Sequence, residues 1–546
     1  MKKIWSVLLA AAMLVTAIGV FPAMAAEAPA AQSAVDRAGI ADRIIISAFF
    51  PPQKKDLGNG AGWGPMTFDL NPESAGYKSD DDAYRLMSEV GVDFVENVAS
   101  ASMRSRAENL RMAELCHKYG MWLYVHEPDQ WPQYIPEIIW DGKKVDVPWH
   151  YQLEMSQEDL EKYVTFWRDT PGAGGFFLHD EADDNSSNPH SMMAYGTLAG
   201  KMKAIAPDMI LHTSDAPNRN IADINTFINN AKNYEGLGYL PDHIGNCEYP
   251  FQSGANGPIK GTWYQYMDKY RRIGLEHGIK TSVYLQLCAG WEGKPVPQST
   301  YRLMGPNQIR YELYSGLAYG VKKFSIFTYS LPGFMYCPNG HADYNTCGCG
   351  LLVAAEGSLI DHNGEKTPMY EPCKEFFSQM HALSDVVFPL DARKVYHTKT
   401  KWATPLRFEV FGLNLLGWIP WPVTQKTPRA FLAQPGDSKD MLYSYMVDPD
   451  DGARYLMVVN NDTKSGSSQI THTINFKTAA GLEVAGLSEV SRDINAKGLK
   501  PPVDLKAAHT AQFTFLPGEG RLFRLDYEGE PGDPGTDSKL SWLWRP

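Results

Sequence analysis

Short apolar runs alternate with longer amphipathic segments over most of the chain. Eight such runs are present, and they begin at Arg43, Val92, Met121, Gly174, Met209, Asp242, Lys280 and Lys322. A short apolar run bounded by turn residues is typical of a buried strand, and the segments between the runs have the apolar spacing of helices. Eight strands that alternate with helices predict an α/β fold with a (β/α)8 TIM barrel. The alternative is an open doubly wound sheet, but no glycine-rich phosphate loop follows the first run.

Helix start and stop signals support this alternation. Ser79 is a candidate N-cap for the segment that begins at Asp80, and Gly91 is a candidate stop for it. The segment that begins at Arg106 has a similar stop at Gly120. The same pattern recurs in three further segments, which begin at Ser156, Trp263 and Asn307.

The pattern changes after Phe388. Residues 441–448 and 454–462 form apolar runs on both sides of the turn-rich "PDDGA", which predicts a β-hairpin. Residues 511–527, "AQFTFLPGEGRLFRLDY", predict a second strand pair. We therefore expect an antiparallel β-sandwich over residues 391–528, followed by a flexible tail at 529–546 that is rich in proline, glycine and acidic residues.

The N-terminus has the features of an export signal. Two lysines precede the apolar run 4–21, and "AMA" at 23–25 offers small residues at the cleavage positions. We expect a signal peptide at 1–25, a leader at 26–41 and the barrel at 42–390, in a secreted or cell-surface protein. An uncleaved membrane anchor is the alternative.

Composition narrows the possible partners. The net charge is −12 and the chain has no basic block, which argues against nucleic acid or an anionic membrane surface as a partner after the signal is removed. The chain has 14 Trp, 28 Tyr and 23 Phe, more rings than a lean core needs. We expect some of these rings to line a binding cleft.

The chain has seven cysteines, so at least one thiol is free or forms an intermolecular bond. Cys337, Cys347 and Cys349 lie close together in sequence, with His341 and Asp343 between them. In an oxidising compartment we favour a disulfide that closes this long loop. A small metal site is the alternative.

Polar and aromatic residues collect where the predicted strands end, which is the active-site end of a barrel of this kind. Carboxylates that converge among aromatic rings suit glycoside hydrolysis, which needs an acid and a second group across the sugar ring. We expect tryptophans to offer flat faces to sugar rings, with Trp63, Trp131, Trp149, Trp263 and Trp291 as candidates. The candidate substrate-binding residues are His126, Glu127, His179, His212, Asp215, Tyr249, Gln286, Trp291 and Tyr329.

Glu181 is the candidate general acid/base. It follows an apolar strand, so desolvation and the neighbouring carboxylate of Asp180 would both raise its pKa. The alternative is that Asp180 and Glu181 only cap the next helix. Glu248 is the third catalytic candidate. Histidines and carboxylates at one mouth could instead hold a divalent metal, but no HExxH pattern supports this, and we expect no metal and no other cofactor.

Three stretches resemble β-galactosidase-like barrel glycoside hydrolases of clan A and uncharacterised bacterial relatives of them. These stretches are "GGFFLHDEA", "DHIGNCEYPF" and "GPNQIRYELYSGLAYGVKKFSIFTY". In addition, "GSLIDHNGEKTPMYEPCKEF" resembles the segment that leads into their last barrel helix. The resemblance covers most of residues 43–390 and implies a secreted barrel hydrolase whose acid/base matches Glu181.

The chain departs from that family at two positions. The family usually carries Asn-Glu at the fourth strand and a nucleophilic Glu on the seventh, whereas this chain has Asp180 before Glu181 and has Gln286. An amide cannot serve as that nucleophile, so Glu292 and Glu248 are alternatives.

The Asp-Glu pair also resembles hexosaminidases that use substrate assistance. In that interpretation Asp180 orients a 2-acetamido group, Glu181 is the acid, and Tyr249 or Tyr329 holds the acetamido oxygen. Two hypotheses without catalysis remain: a carbohydrate-binding protein on a barrel scaffold, which Gln286 motivates, and a cell-wall or adhesion scaffold.

Overall fold

A computed structural model describes residues 37, 39–49, 80–97, 106–126, 139–140, 143–144, 156–180, 189–215, 221–233, 240–251, 259–287, 303–329, 358–360, 364–403, 421–424, 433–477, 483–506 and 508–529. Eight parallel strands form a closed barrel in which each strand pairs with its neighbours along the chain and the last pairs with the first. They are β1 (Ile45–Phe49), β2 (Phe94–Glu96), β3 (Trp122–Val125), β4 (Ala173–Asp180), β5 (Ile210–Asp215), β6 (His243–Asn246), β7 (Lys280–Gln286) and β8 (Val321–Phe327). All eight predicted strands are confirmed.

Helices follow these strands as the alternation predicts. They are α1 (Asp80–Val90), α2 (Arg106–Lys118), α3 (Gln157–Arg168), α4 (Pro189–Ile205), α5 (Ile221–Asn233), α6 (Gly261–His277), α7 (Pro306–Ala318) and α8 (Tyr370–Val387). Gly91 and Gly120 end α1 and α2 with left-handed φ angles of 97° and 71°, which glycine adopts at little cost. The Ser156 side chain caps α3 by accepting a hydrogen bond from the Asp159 backbone N–H. None of the described helices is long and apolar enough to cross a lipid bilayer.

The barrel has two apolar layers because successive strand residues point to opposite faces. One layer lies between the strands and the helices and includes the fully buried Trp167 and Trp263. The other fills the barrel interior and is mostly aromatic, with members that include Phe49, Phe94, Tyr124, Phe177, Tyr284 and Phe327. Trp263 is completely buried, so the prediction that it offers a face to a sugar is wrong.

The C-terminal region has two larger antiparallel sheets, and a two-stranded sheet also pairs Trp402–Ala403 with Trp421–Pro422. The two larger sheets are formed by β9 (Asp391–His397), β10 (Ala433–Pro435), β11 (Met441–Val447), β12 (Arg454–Asn460), β13 (Ile470–Phe476), β14 (Glu483–Glu489), β15 (Val503–Asp504), β16 (Thr510–Phe515) and β17 (Gly520–Glu528). The larger sheet has the order β9-β11-β12-β17-β14-β15, and the smaller has the order β10-β13-β16. A shared apolar core joins residues of both sheets, as in a β-sandwich. The predicted hairpin is confirmed by the antiparallel pairing of β11 with β12.

The predicted pairing of β16 with β17 is wrong, although both strands exist. β16 pairs with β13 in the smaller sheet, whereas β17 pairs with β12 and β14 in the larger sheet. The turn between them packs against α7, where a Cβ atom on Gly518 would lie 2.2 Å from the Asn307 carbonyl oxygen. This close contact redirects the chain from one sheet to the other instead of closing a hairpin.

Helix α7 joins the barrel to the sandwich. The Gln308 side chain donates to the Thr463 carbonyl at 2.7 Å, and the Arg310 side chain donates to the Pro517 carbonyl at 2.9 Å. On α6, Arg271 donates to the Ala392 carbonyl at 2.8 Å. The domain boundaries at 42–390 and 391–528 stay predictions.

Candidate functional site

The predicted site residues divide into three groups. Glu127, Glu181 and Trp291 lie outside the described residues, as do Glu292, Trp63, Trp131 and Trp149. His179, Asp180 and Asp215 belong to β4 and β5, but only their backbone is described. The side chains of His126, His212, Glu248, Tyr249, Gln286 and Tyr329 are described and can be located.

His126 follows β3 directly and lies at the carboxyl end of the barrel with 7% of its surface exposed. Its Nδ1 atom is 3.1 Å from the Asn97 carbonyl oxygen. Its ring lies 5.5 Å from the Phe177 ring between centroids. A neutral imidazole in this geometry can bind a hydroxyl through its other nitrogen. The position of His126 is compatible with the predicted contact with substrate, which stays a prediction.

Glu248 follows β6 and lies at the start of α6. Its backbone N–H donates to Asn246 Oδ1 at 3.0 Å, and its carboxylate accepts a hydrogen bond from the Thr262 hydroxyl. Lys260 Nζ is 3.8 Å from the same carboxylate. Burial raises the pKa of Glu248, while Lys260 and Thr262 act in the opposite direction. A buried carboxyl of raised pKa suits a group that gives and takes a proton.

Replacing Thr262 with valine should raise the pKa of Glu248 further, because the ionised carboxylate loses a donor that stabilises it. At pH 7 the loss of a hydrogen bond to a charged group should lower the free energy of unfolding by about 1.5–3 kcal/mol. The cost should shrink in acid, since a raised carboxyl pKa means that folding favours the protonated form. Urea unfolding of Thr262→Val at pH 7 and pH 4 measures this. Thr262→Ser is the control, and an equal cost at both pH values would contradict the assignment.

Gln286 ends β7 and is bound to the segment that follows β6. Its side chain accepts from the Phe251 backbone N–H at 2.9 Å and donates to the Phe251 carbonyl at 2.8 Å. Its own backbone N–H donates to the Glu312 carboxylate of α7, and burial holds the pKa of Glu312 well above its usual range. Gln286 therefore fastens two strand ends together, and its predicted contact with substrate stays a prediction.

The two predicted tyrosines have different surroundings. The Tyr249 ring is half-buried and lies 5.3 Å from the Phe327 ring. Tyr329 is 1% exposed and belongs to the apolar layer between strands and helices, where burial keeps its pKa well above the usual range. Of these two, Tyr249 is the one whose ring joins the aromatic cluster of the barrel interior.

Glu96 at the end of β2 is the centre of a buried polar network inside the barrel. Its Oε1 atom lies 2.5 Å from Lys323 Nζ and accepts from the hydroxyls of Ser47 and Ser325 at 2.5 Å and 2.6 Å. Its Oε2 atom accepts from the Tyr284 hydroxyl at 3.0 Å. Glu96 and Lys323 have no exposed surface. The sequence pattern did not indicate the partners of Glu96, although Lys323 inside an apolar strand was an available signal.

His212 belongs to this network. Its Nε2 atom is 3.0 Å from Lys323 Nζ and 3.2 Å from the Tyr284 hydroxyl, and the ring has no exposed surface. The Phe177 ring contacts the ring of His212 at 5.2 Å and that of His126 at 5.5 Å. His212 therefore lies in the closed interior, and its predicted role as a sugar ligand stays a prediction.

The remaining candidate chemistry concerns metal ligands and cysteines. Among the described residues, no group of three or more His, Cys, Asp and Glu is arranged to hold a metal ion. Cys116 and Cys373 are buried free thiols, in agreement with the expectation of at least one free thiol, and Cys247 Sγ is 2.9 Å from the Ser214 hydroxyl. The cluster of Cys337, Cys347 and Cys349 lies outside the described residues.

Comparisons with known proteins find similarity only among solved structures. No family model matches the chain, and neither does any curated protein. Similar solved structures include a β-galactosidase from the psychrophilic Marinomonas ef1 (9% identity, 62% of this chain and 60% of that chain, TM-score 0.39). Another is a family 30 subfamily 8 xylanase from Clostridium acetobutylicum (9% identity, 89% of this chain and 96% of that chain, TM-score 0.39). A third is a family 51 α-L-arabinofuranosidase from Bifidobacterium longum (12% identity, 90% of this chain and 96% of that chain, TM-score 0.38).

The chain spans about three fifths of that β-galactosidase. These neighbours are glycoside hydrolases, the class that the sequence resembles. The fold assignment rests on the strand pairing itself.

Proposed function

We propose that the protein is a secreted glycoside hydrolase that cleaves a poly- or oligosaccharide with Glu181 as general acid/base. One observation supports the proposal: β4 of a closed barrel ends at Asp180, and Glu181 is the next residue in the sequence. His126 follows β3, which pairs with β4, and Glu248 follows β6, which is two strands from β4 in the barrel. Barrel enzymes carry out their chemistry at the carboxyl ends of the strands.

The proposed chemistry divides into proton transfer and sugar binding. Glu181 gives its proton to the glycosidic oxygen as the bond breaks, and a second group supports the positive charge that develops on the sugar ring. Glu248 is our candidate for the second group because it follows β6, and the Thr262 hydroxyl and Lys260 both favour the ionised carboxylate that this role requires. His126 and Tyr249 offer a ring nitrogen and a ring face for the sugar.

Substrate assistance is the second candidate mechanism, and Gln286 favours it. The Gln286 amide is bound in both directions to the Phe251 backbone, and an amide has no nucleophilic carboxylate to offer from β7. If Asp180 orients a 2-acetamido group, the substrate itself supplies the nucleophile and no second carboxylate is required. Substrates would then be limited to 2-acetamido sugars.

The test is hydrolysis of a broad glycan panel by the full-length mature protein, with binding to the same glycans measured in parallel. Turnover supports the proposal, and turnover confined to 2-acetamido sugars supports substrate assistance. Binding without turnover would favour a non-catalytic carbohydrate-binding protein, and neither binding nor turnover would favour a scaffold. Export is tested by N-terminal sequencing of protein recovered outside the cytoplasm, which should begin near Ala26.

A further inference from the structure

Asn109 connects the ends of two barrel strands. It lies in the first turn of α2, which follows β2, and it has no exposed surface. Its Oδ1 atom accepts a hydrogen bond from the Asn97 side chain at 3.0 Å, and its Nδ2 atom donates to the His126 carbonyl at 3.2 Å. The His126 backbone N–H points to the same Oδ1 atom at 3.4 Å. One buried amide thus contacts both the residue after β2 and the residue after β3.

The contact between Asn97 and His126 determines which ring nitrogen carries hydrogen. A backbone carbonyl only accepts hydrogen bonds, so the 3.1 Å contact of His126 Nδ1 with the Asn97 carbonyl requires hydrogen on Nδ1. In the neutral ring Nε2 is then the acceptor. This is the less common tautomer of a free imidazole, so the surroundings must maintain it. The Phe177 ring, at 5.5 Å, packs against one side of the imidazole.

We propose that Asn109 is a positioning residue that holds the Asn97 carbonyl against His126 and so fixes His126 in the Nδ1–H tautomer. Asn109 holds the Asn97 side chain on one side and the His126 backbone on the other, so its amide links the two residues whose carbonyl and ring are in contact. Nε2 of the neutral ring is then an acceptor, which suits a hydroxyl donor of a sugar. This last step rests on the proposed function, whereas the tautomer does not.

The experiment reads the tautomer directly. Two-bond ¹H–¹⁵N correlation spectra of ¹⁵N-histidine-labelled full-length protein report which ring nitrogen carries hydrogen, and His126→Gln identifies the signal by its loss. We expect the Nδ1–H form in the wild type and a loss of most of that form in Asn109→Ala. If Asn109→Ala fails to fold, Asn97→Ala tests the same connection, because it removes the 3.0 Å bond but keeps the backbone carbonyl.

Asn246→Ala is the matched control. Asn246 is also a buried asparagine at a strand end, and its side chain accepts from the Glu248 backbone N–H rather than contacting β3. Its replacement should leave the His126 tautomer unchanged. A wild-type His126 in the Nε2–H form, or a folded Asn109→Ala with an unchanged tautomer, overturns the proposal.

Kinetics separate this proposal from the proposed function. If a glycan is hydrolysed, Asn109→Ala should raise KM by roughly 2–12-fold, the equivalent of one net hydrogen bond, with kcat changed less. A change of tautomer without any turnover supports the positioning role and counts only against the glycosidase. An unchanged tautomer in Asn109→Ala, together with normal turnover, counts against the positioning role and supports the glycosidase.

Discussion

Glu181→Gln should lower the turnover of the glycan that the wild type hydrolyses by about 10²–10⁴-fold, the range that general acid catalysis contributes. Glutamine keeps the size of the side chain and its capacity for hydrogen bonds, but it has no proton to give to the leaving oxygen. The loss should be largest for natural glycans, whose leaving alcohols need protonation. It should be much smaller for an aryl glycoside with an acidic leaving group. Measuring kcat/KM on both substrates separates lost proton donation from lost binding.

Two further variants distinguish a partner carboxylate from substrate assistance. Glu248→Gln should also abolish turnover if Glu248 is the partner carboxylate, and it should spare turnover under substrate assistance. Under substrate assistance, Asp180→Asn should impair turnover, because the 2-acetamido group loses its orienting partner. Activity that survives Glu181→Gln on natural glycans contradicts the assignment of the acid.

The barrel was predictable because its signals are local. Each strand is a short apolar run, and glycines at 91 and 120 stop helices because they adopt left-handed φ angles. The pairing of β16 with β17 was not predictable, because "LPGEG" has hairpin composition and the deciding contact is with α7, about two hundred residues away in sequence. Local turn chemistry cannot report which distant surface a turn will meet.

The site was predictable only as a set of strand ends. Successive residues of a strand point to opposite faces, so a shift of one position moves a side chain from the mouth to the outer layer. The alternation also stops where a strand stops: β8 ends at Phe327, whose ring lies in the interior, and Tyr329, two residues beyond it, lies against the helices. Glu248 follows Cys247 of the interior cluster and contacts the start of α6. The positioning role of Asn109 could not be predicted at all, because it depends on contacts between three elements.

Lys323→Met should destabilise the protein by about 3–5 kcal/mol, the cost of leaving one partner of a buried ion pair uncompensated. Glu96 would keep its hydrogen bonds from Ser47, Ser325 and Tyr284, so we expect the lower part of this range. Burial lowers the pKa of Lys323, and the adjacent Glu96 carboxylate opposes that shift. Urea unfolding at pH 7 measures the loss.

Lys322→Met is the matched control, because Lys322 is also buried on β8 but donates to the Val387 and Leu390 carbonyls at the end of α8. Its removal takes a donor from the Leu390 carbonyl, while the Val387 carbonyl keeps its bond from the Leu390 N–H, and it leaves no unpaired charge, so we expect a loss of about 1–3 kcal/mol. Adding Glu96→Gln should recover part of the loss in Lys323→Met and none of it in Lys322→Met. Equal effects of Glu96→Gln in both backgrounds would mean that the two charges inside the barrel are not energetically coupled.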